Sequence, residues 1–410
     1  MYPWHVEQQR PLRWLFLDLN SYFASVEQQL RPELRGMPVG IVPVEADTTC
    51  CIAASYEAKA HGVRTGTSVR EARRLCPDIR LIPARPKLYV EYHHKIVAAV
   101  WDCVPVTAVM SIDEMACRLL GRERDEEQAL ALARKIKETI YQRAGEMLRC
   151  SIGLAPNRFL AKVATELQKP DGLVVVRPQD LPEILHPLEL SDLPGIGRNM
   201  LQRLNRNGIY SVRQLCALSK EEMTRIWHSV IGTRFWHWLR GDDIAEPPVQ
   251  RRSVGHSHRL PPDLRTEQGV FAVAQKLLHK AAVRLRKLNY YAGGIGVSVR
   301  FYRSGRWKAH LRIAPCQDTL TLTEALHKMW AGKPHASPDS VSVVLYDLVP
   351  AQTHTLSLFR PEKRERLSRA MDAINDRFGN QAVWFGSTHS IMQAAPTRIS
   401  FTSIPDLDTF

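Results

Sequence analysis

Three acidic residues carry the first hint of chemistry in this sequence. Asp18 stands near the end of the apolar run LRWLFLDL (12–19), and Asp113 and Glu114 sit side by side in SIDEMACRL (111–119), behind the apolar stretch 104–110. Both runs are short and apolar, which predicts two buried strands ending in acids. A carboxylate taken into a core without a partner costs several kcal/mol, so such groups are paired or bound to a metal. Taken alone, an Asp-Glu pair marks a strand that surfaces. If the two strands are neighbours, however, three carboxylates converge, repel one another and take up protons unless a cation lies between them. Oxygen-only donors favour hard ions such as Mg2+ or Mn2+, and two such ions about 4 Å apart make a phosphoryl-transfer site. Neighbours on a regular strand point to opposite faces, so Asp113 and Glu114 share an aim only if the strand bends or ends there.

The elements that must position these acids follow from periodicity and turn chemistry. After the strand at 12–19 the pattern predicts a helix over 22–30, a strand over 39–44, short helices over 55–62 and 68–75, and a helix over 88–100. A long helix over 126–144, a strand over 149–154 and a helix over 157–168 follow, closed by the turn Lys169-Pro170-Asp171-Gly172. Residues 178–243 read as all-helical. Within them LPGIG (193–197) before a helix reads as a helix-hairpin-helix, whose glycines Gly195 and Gly197 let a phosphate approach the helix N-terminal amides. Pro247-Pro248 marks a linker. Beyond it lies an amphipathic helix over 266–288 with Val270, Ala274, Leu277, Leu278, Ala281 and Leu285 on its apolar face.

The net charge is +14, and its location is informative: residues 249–312 hold 14 lysines and arginines against two acids, or +12. Two strands in this region alternate. Ile295, Val297, Val299 and Phe301 face inward from the first, and Trp307, Ala309, Leu311 and Ile313 from the second, leaving Arg300, Lys308, His310 and Arg312 on the outer face. A basic sheet face suits a nucleic-acid backbone, whose phosphates attract charge without reading sequence.

Five stretches together resemble the successive signatures of Y-family DNA polymerases: FLDLNSYFASVEQ (16–28), AASYEAKAHGVRTG (53–66), MSIDEM (110–115), SIGLAPNRFLAKVATELQKPDG (151–172) and LPGIGRNMLQRL (193–204). The resemblance runs in order from about residue 12 to about 360. It implies an α+β multidomain right-hand fold: a palm (12–20 and 84–177), fingers (21–83), a helical thumb with a helix-hairpin-helix (178–243), a DNA-binding little finger (249–360), and an unassigned tail (361–410). It makes Asp18, Asp113 and Glu114 the metal-binding catalytic acids, with the Leu19 carbonyl a further ligand, for two Mg2+ ions or Mn2+. It places Tyr22 and Phe23 at the incoming nucleotide, Phe23 as the ring that excludes a ribose 2′-hydroxyl, and gives Tyr56, Lys59 and Lys162 the triphosphate. Gly195, Gly197, Arg251, Arg252, Arg300, Lys308 and Arg312 fall where DNA would be gripped. Thr355-Leu356-Ser357-Leu358-Phe359 resembles a sliding-clamp-binding peptide, with Leu356, Leu358 and Phe359 as anchors and Thr355 in place of the usual Gln.

The implied activity is templated addition of deoxynucleoside triphosphates to a primer, at low fidelity and tolerant of damaged templates. No second acidic cluster suits a proofreading exonuclease. Asn20 replaces a second acid common in the first motif, Lys59 a frequent Arg, and Ala53 a hydroxyl residue. The sequence resembles the polymerase IV type. Asn20 and the segment RLSRAMDAINDRFGNQAVWFG (366–386) also resemble the catalytic subunit of the polymerase V type.

Bulk composition fits this reading. The chain of 410 residues, 44% apolar, predicts about two to four globular domains. No apolar run reaches the roughly 18 residues of a membrane span, and the N-terminal segment lacks a signal pattern. A cytoplasmic monomer without membrane contact is expected. The eight cysteines form no C-x-x-C pair, which argues against structural zinc and for a reducing compartment. His93-His94 reads as a surface pair.

Overall fold

The computed structural model describes residues 12–44, 46–47, 49–245, 250–302, 305–354, 362–379 and 382–391, with positions 395, 399, 404 and 405. The chain forms an α+β structure of two compact units, the first of residues 1–246 with 399–407 and the second of residues 247–398 with 408–410.

The first unit is built on a five-stranded sheet in the order β5-β6-β1-β7-β8. Its central strand β1 (Trp14–Leu19) is buried along its whole length, as a strand apolar on both faces must be. It pairs antiparallel with β6 (Glu114–Arg118) and β7 (Cys150–Ala155). Helix α1 (Tyr22–Leu30) leaves β1 directly. A small sheet, β3-β2-β4, holds β2 (Val39–Val42), β3 (Ala53–Ala54) and β4 (Arg80–Pro83). Next to it lie α2 (Tyr56–Ala60) and α3 (Val69–Leu75), capped by the side chains of Ser55 and Ser68. Helices α4 (Pro86–Trp101) and α5 (Glu126–Ala144) pack on each other, and α6 (Arg158–Leu167) packs on β1 and β7. After β8 (Leu173–Val175) come α7 (Arg198–Arg206), α8 (Val212–Ala217), α9 (Lys220–Trp227) and α10 (Val230–Trp238). Their core is continuous with the sheet: Trp14 and Phe16 pack with Leu160, Val163, Leu193 and Phe235.

That continuity decides where Asp18 looks. Side chains alternate along β1, so Asp18 shares the face of Trp14 and Phe16, which α6 covers. The helix comes this close because Phe16 lies opposite Gly153 on β7. A Cβ at 153 would stand 2.1 Å from the Ala161 carbonyl oxygen and 2.7 Å from the Ala164 Cβ.

The second unit is a four-stranded antiparallel sheet, β11-β10-β12-β9. Its strands are β9 (Ser253–Arg259), β10 (Tyr290–Phe301), β11 (Arg306–Cys316) and β12 (Pro338–Pro350). Inward side chains of the sheet form one core with α11 (Glu267–Lys287) and α12 (Thr319–Trp330). Helix α13 (Glu362–Phe378) docks on this unit through polar contacts: Asp372 receives the Arg286 guanidinium at 2.6 and 2.8 Å, and Lys287 meets Asp376 at 2.9 Å. Part of the unassigned tail is thus a structured element of the second unit.

Two expectations are overturned. The run 104–112 is not a buried strand: only β5 (Ala108–Val109) is extended there, 110–113 form a turn, and the acids, expected to end a strand, stand at the start of one, with Asp113 in the turn and Glu114 the first residue of β6. Pro105 lacks an N–H for a ladder, and the amides of Met110 and Ser111 donate back to the Glu114 carbonyl, closing a tight hairpin. Nor are the two histidines a surface pair. His93 is buried, and its Nδ1 lies 2.7 Å from the Ile112 carbonyl.

Gly153→Ala should therefore destabilise the chain by about 1–3 kcal/mol through overpacking. Equilibrium urea unfolding checks this, and an unchanged midpoint would contradict the close approach of α6.

Candidate active site

The β1–β6 register sets Asp18 directly opposite Glu114. Asp113 precedes β6 in the turn, and its carbonyl accepts the Leu19 N–H at 2.9 Å. This removes the alternation problem, because Asp113 does not belong to the regular strand. His93 holds the same turn through Ile112, and burial lowers its pKa to about 4, so it stays neutral. The three acids accordingly face one cleft, which Leu19, Tyr22, Phe23, Tyr56, Lys59 and Lys162 also line. All nine residues expected at the acids and the incoming nucleotide meet there.

The electrostatics of the cleft are those of crowded anions. Burial raises the pKa of Asp113; the Ser111 hydroxyl, donating to its Oδ1 at 2.5 Å, opposes this, and Asp18 adds to it. Burial also raises Glu114, with Lys162 opposing and Asp18 and Asp113 reinforcing. Lys162 projects from α6 into the middle of the group. Its ammonium contacts Asp18, lies 2.8 Å from Glu114 and 3.0 Å from Glu166. Burial works against its charge, yet the three carboxylates outweigh burial and hold its pKa above the ordinary lysine value. Lys169 adds a second cation, 3.2 Å from Asp18 Oδ1 and 2.8 Å from Glu166.

Asn20, where an acid is common in the resembling family, is 4% exposed. It donates to the Ser151 hydroxyl at 3.1 Å and accepts the Asp171 N–H at 2.8 Å. An ionised carboxylate could only accept, so an amide suits this place, where it ties β1 to the turn that carries Lys169.

On the other wall, Lys59 donates to Ser21 Oγ at 2.7 Å and lies over the Tyr56 ring. Burial, with a further push from Lys169, lowers its pKa. Burial, Asp18 and Glu166 push the Tyr56 phenol up to about 12, so it remains a neutral donor. Phe23 stacks on Tyr89 with ring centroids 4.5 Å apart and planes 16° apart, and Tyr22 donates to the Tyr89 carbonyl at 2.6 Å. Tyr89 in turn donates to Glu27 at 2.8 Å, and Arg85 grips the same carboxylate with two nitrogens. The position of the Phe23 ring therefore rests on a fully buried carboxylate.

The donor set fits hard divalent cations in type: three carboxylates and a main-chain carbonyl at one cleft, two of the acids with raised pKa. Among the described residues no three acids, histidines or cysteines already converge as a ligand cluster. Asp18 and Glu114 turn to Lys162, and Asp113 to Ser111. Ion binding would have to draw them off these partners.

The remaining expected site residues lie elsewhere. Gly195, with φ +92°, and Gly197, the N-cap of α7, form the helical hairpin, and a Cβ at 197 would meet nothing within 4 Å. Arg251 and Arg252 are exposed just before β9, and Arg300, Lys308 and Arg312 are exposed on the outer sheet face of the second unit. Leu356, Leu358 and Phe359 fall outside the described residues.

The profile of the impB/mucB/samB family matches residues 17–166, that of its helix-hairpin-helix motif 178–209, and that of its C-terminal domain 251–358. DNA polymerase IV of Moorella thermoacetica is 34% identical over 383 residues, covering 90% of this chain and 94% of its own length. The chain belongs to the Y family of DNA polymerases. DNA polymerase IV 1 of Bacillus subtilis is 28% identical over 91% of this chain. The solved Y-family polymerase chimera Dbh-Dpo4(243-245)-Dbh shares the fold, with a TM-score of 0.70 and 24% identity over 82% of this chain and 99% of its own. Among the described residues no helix is long and apolar enough to cross a membrane.

Sequence reading of this polymerase missed Lys169, Glu166, Tyr89, Glu27 and His93. Lys169 was absorbed into a turn signal, and Glu166 carried only its helical spacing from Lys162. The other three act across long sequence separations that no local pattern reveals.

Arg85→Ala would leave Glu27, 0% exposed, without its bidentate partner. Because Arg85 is partly exposed and Tyr89 and Arg31 stay beside the carboxylate, the expected loss of stability is about 1.5–3 kcal/mol, read by urea unfolding. A loss below about 1 kcal/mol would show that Glu27 does not depend on Arg85.

Proposed function

We propose that this chain is a translesion DNA polymerase of the polymerase IV type, extending a primer on a DNA template at low fidelity and without proofreading. The observation that carries this reading is the meeting of Asp18, Asp113 and Glu114 with Phe23, Tyr56, Lys59 and Lys169 in one cleft. The acids and the Leu19 carbonyl would hold two divalent cations, which when bound supply charge stabilisation and a more acidic primer hydroxyl.

The chain's own groups do the rest. Tyr56, Lys59 and Lys169 offer a neutral donor and two cations to the triphosphate, where fixed donors stabilise the charge that develops as pyrophosphate leaves. Phe23, braced by Tyr89, fills the space a 2′-hydroxyl would need and so selects deoxyribose by clash. The hairpin at 193–197 and the basic outer sheet face supply sequence-independent phosphate contacts. The polymerase IV names of the curated relatives favour that type over polymerase V. A sliding clamp remains a candidate partner through residues 355–359, on their resemblance alone.

The test is primer extension by the purified chain with Mg2+ and four deoxynucleotides, on plain and abasic templates. Asp113→Ala should abolish extension, a loss of at least about a thousandfold, while DNA affinity stays within a few-fold. Full activity in that variant would end the assignment of the acids. No extension by the unaltered chain, with tight DNA binding, would point to a partner-dependent subunit. Phe23→Ala should raise ribonucleotide incorporation at least tenfold relative to deoxyribonucleotide; an unchanged sugar preference would remove Phe23 from that role.

A further inference from the structure

Two lysines enter the cleft from the C-terminal part of α6 and the turn after it, and their surroundings differ. An ammonium has three N–H donors. Those of Lys162 face three carboxylates: Asp18, Glu114 at 2.8 Å and Glu166 at 3.0 Å. Lys169 meets two, Asp18 Oδ1 at 3.2 Å and Glu166 at 2.8 Å, and its side chain is the more exposed, 25% against 17%. One oxygen, Glu166 Oε1, accepts from both lysines. Asp18 closes the circuit, with one carboxylate oxygen toward each lysine. Asp18, Lys162, Glu166 and Lys169 thus form a closed ring of alternating charge.

From this ring we infer that Glu166 is a positioning residue that divides the work of the two lysines, keeping Lys162 on the catalytic acids and aiming Lys169 at the triphosphate. Glu166 lies four residues after Lys162 on α6, so the two share a side of the helix, and the turn that follows α6 brings Lys169 back to the same carboxylate. Lys162 spends its donors on carboxylates and serves as their resident counter-ion. Lys169 shares Asp18 with Lys162. Once Asp18 turns toward a cation, Lys169 loses that partner and gains a phosphate oxygen, while Glu166 keeps its Nζ at the cleft. Without Glu166 both lysines would compete for Asp18, and Lys169 would sample the solvent around the turn at 169–172.

An ordinary exposed helix ion pair at these spacings contributes only a few tenths of a kcal/mol and aims nothing. The two roles separate in nucleotide binding. The inference rests on the polymerase reading, so the experiment measures binding of a deoxynucleoside triphosphate, with Ca2+ present, to the full chain on a primer-template whose primer ends in a dideoxynucleotide. Steady-state incorporation on an extendable primer runs beside it. Glu166→Ala and Lys169→Ala should each weaken nucleotide binding and raise KM by about tenfold. In nucleotide affinity the double variant should be no worse than Lys169→Ala, because there the two act as a unit. Lys162→Ala should instead lower kcat with a smaller change in KM. Glu166→Asp, too short to reach both lysines, should fall between Glu166→Ala and the unaltered chain.

Thermal midpoints and DNA affinity of the Glu166 variants should stay close to those of the unaltered chain; if Glu166→Ala folds poorly, Glu166→Gln, which keeps an oxygen but not the charge, takes its place. Unchanged nucleotide affinity in the Glu166 variants, or effects of Glu166→Ala and Lys169→Ala that multiply, would overturn the inference while leaving the polymerase reading standing. Failure of the unaltered chain to bind nucleotide on primed DNA would overturn the polymerase reading itself.

Discussion

Like charges forced into register are the constraint on which the first unit depends. Antiparallel pairing of β1 with β6 sets Asp18 opposite Glu114, and like charges directly opposite in a sheet are destabilising. Burial makes this worse, since each carboxylate must be hydrogen-bonded or paired. The surrounding structure is organised to supply partners. Gly153 lets α6 close over β1, and α6 brings Lys162 among the acids. Ser111 satisfies Asp113 within its own turn. His93 and Asn20 hold the two backbone segments that carry the acids and Lys169. Under the proposed function this crowding would be useful, because the cleft would gain most when divalent cations took the place of the lysine contacts.

A second buried carboxylate plays an unrelated part. Glu27 draws together α1 and α4, through Arg85 and Tyr89, and Tyr89 fixes the Phe23 ring. Sugar discrimination by clash requires a wall that does not yield. A phenylalanine side chain alone turns easily about its first torsion, and a stacked neighbour whose own hydroxyl is tied down does not allow it. Two buried acids thus stand differently: Asp18 shares its lysines with Glu114 and Glu166, and Glu27 is held by Arg85 and Tyr89.

Much of this was legible in the sequence because the informative features are local. Helices at 22–30 and 126–144 follow from periodicity, and the two alternating strands of the second unit from their period of two. The convergence of the acids was legible only as a condition, that two apolar runs be neighbours, which pairing in the sheet then met. What was not legible is what depends on long-range partners. The run 104–112 has strand composition, yet a hairpin closing on Glu114 takes its backbone bonds. His93 has no local mark of burial, and Lys169 sits in a turn whose residues explain themselves without it.

The basic charge illustrates the same limit. By sequence, +12 lies between 249 and 312, and all of it reads as attraction for a polyanion. In the structure a good part is already committed within the second unit. Arg286 and Lys287 face Asp372 and Asp376 on α13, Arg259 and Arg265 approach Asp339, and Lys276 and Lys280 donate to the carbonyls of Ile391 and Ala395. Among the described residues, the charges that stand on the outer sheet face are fewer: Arg300, Arg306, Lys308 and Arg312, and Arg259, which stays largely exposed beside Asp339, with Arg251 and Arg252 before β9. The salt dependence of DNA binding counts phosphates neutralised and takes no account of formal charge. The grip of this unit should therefore follow the exposed set and fall short of what the formal charge suggests.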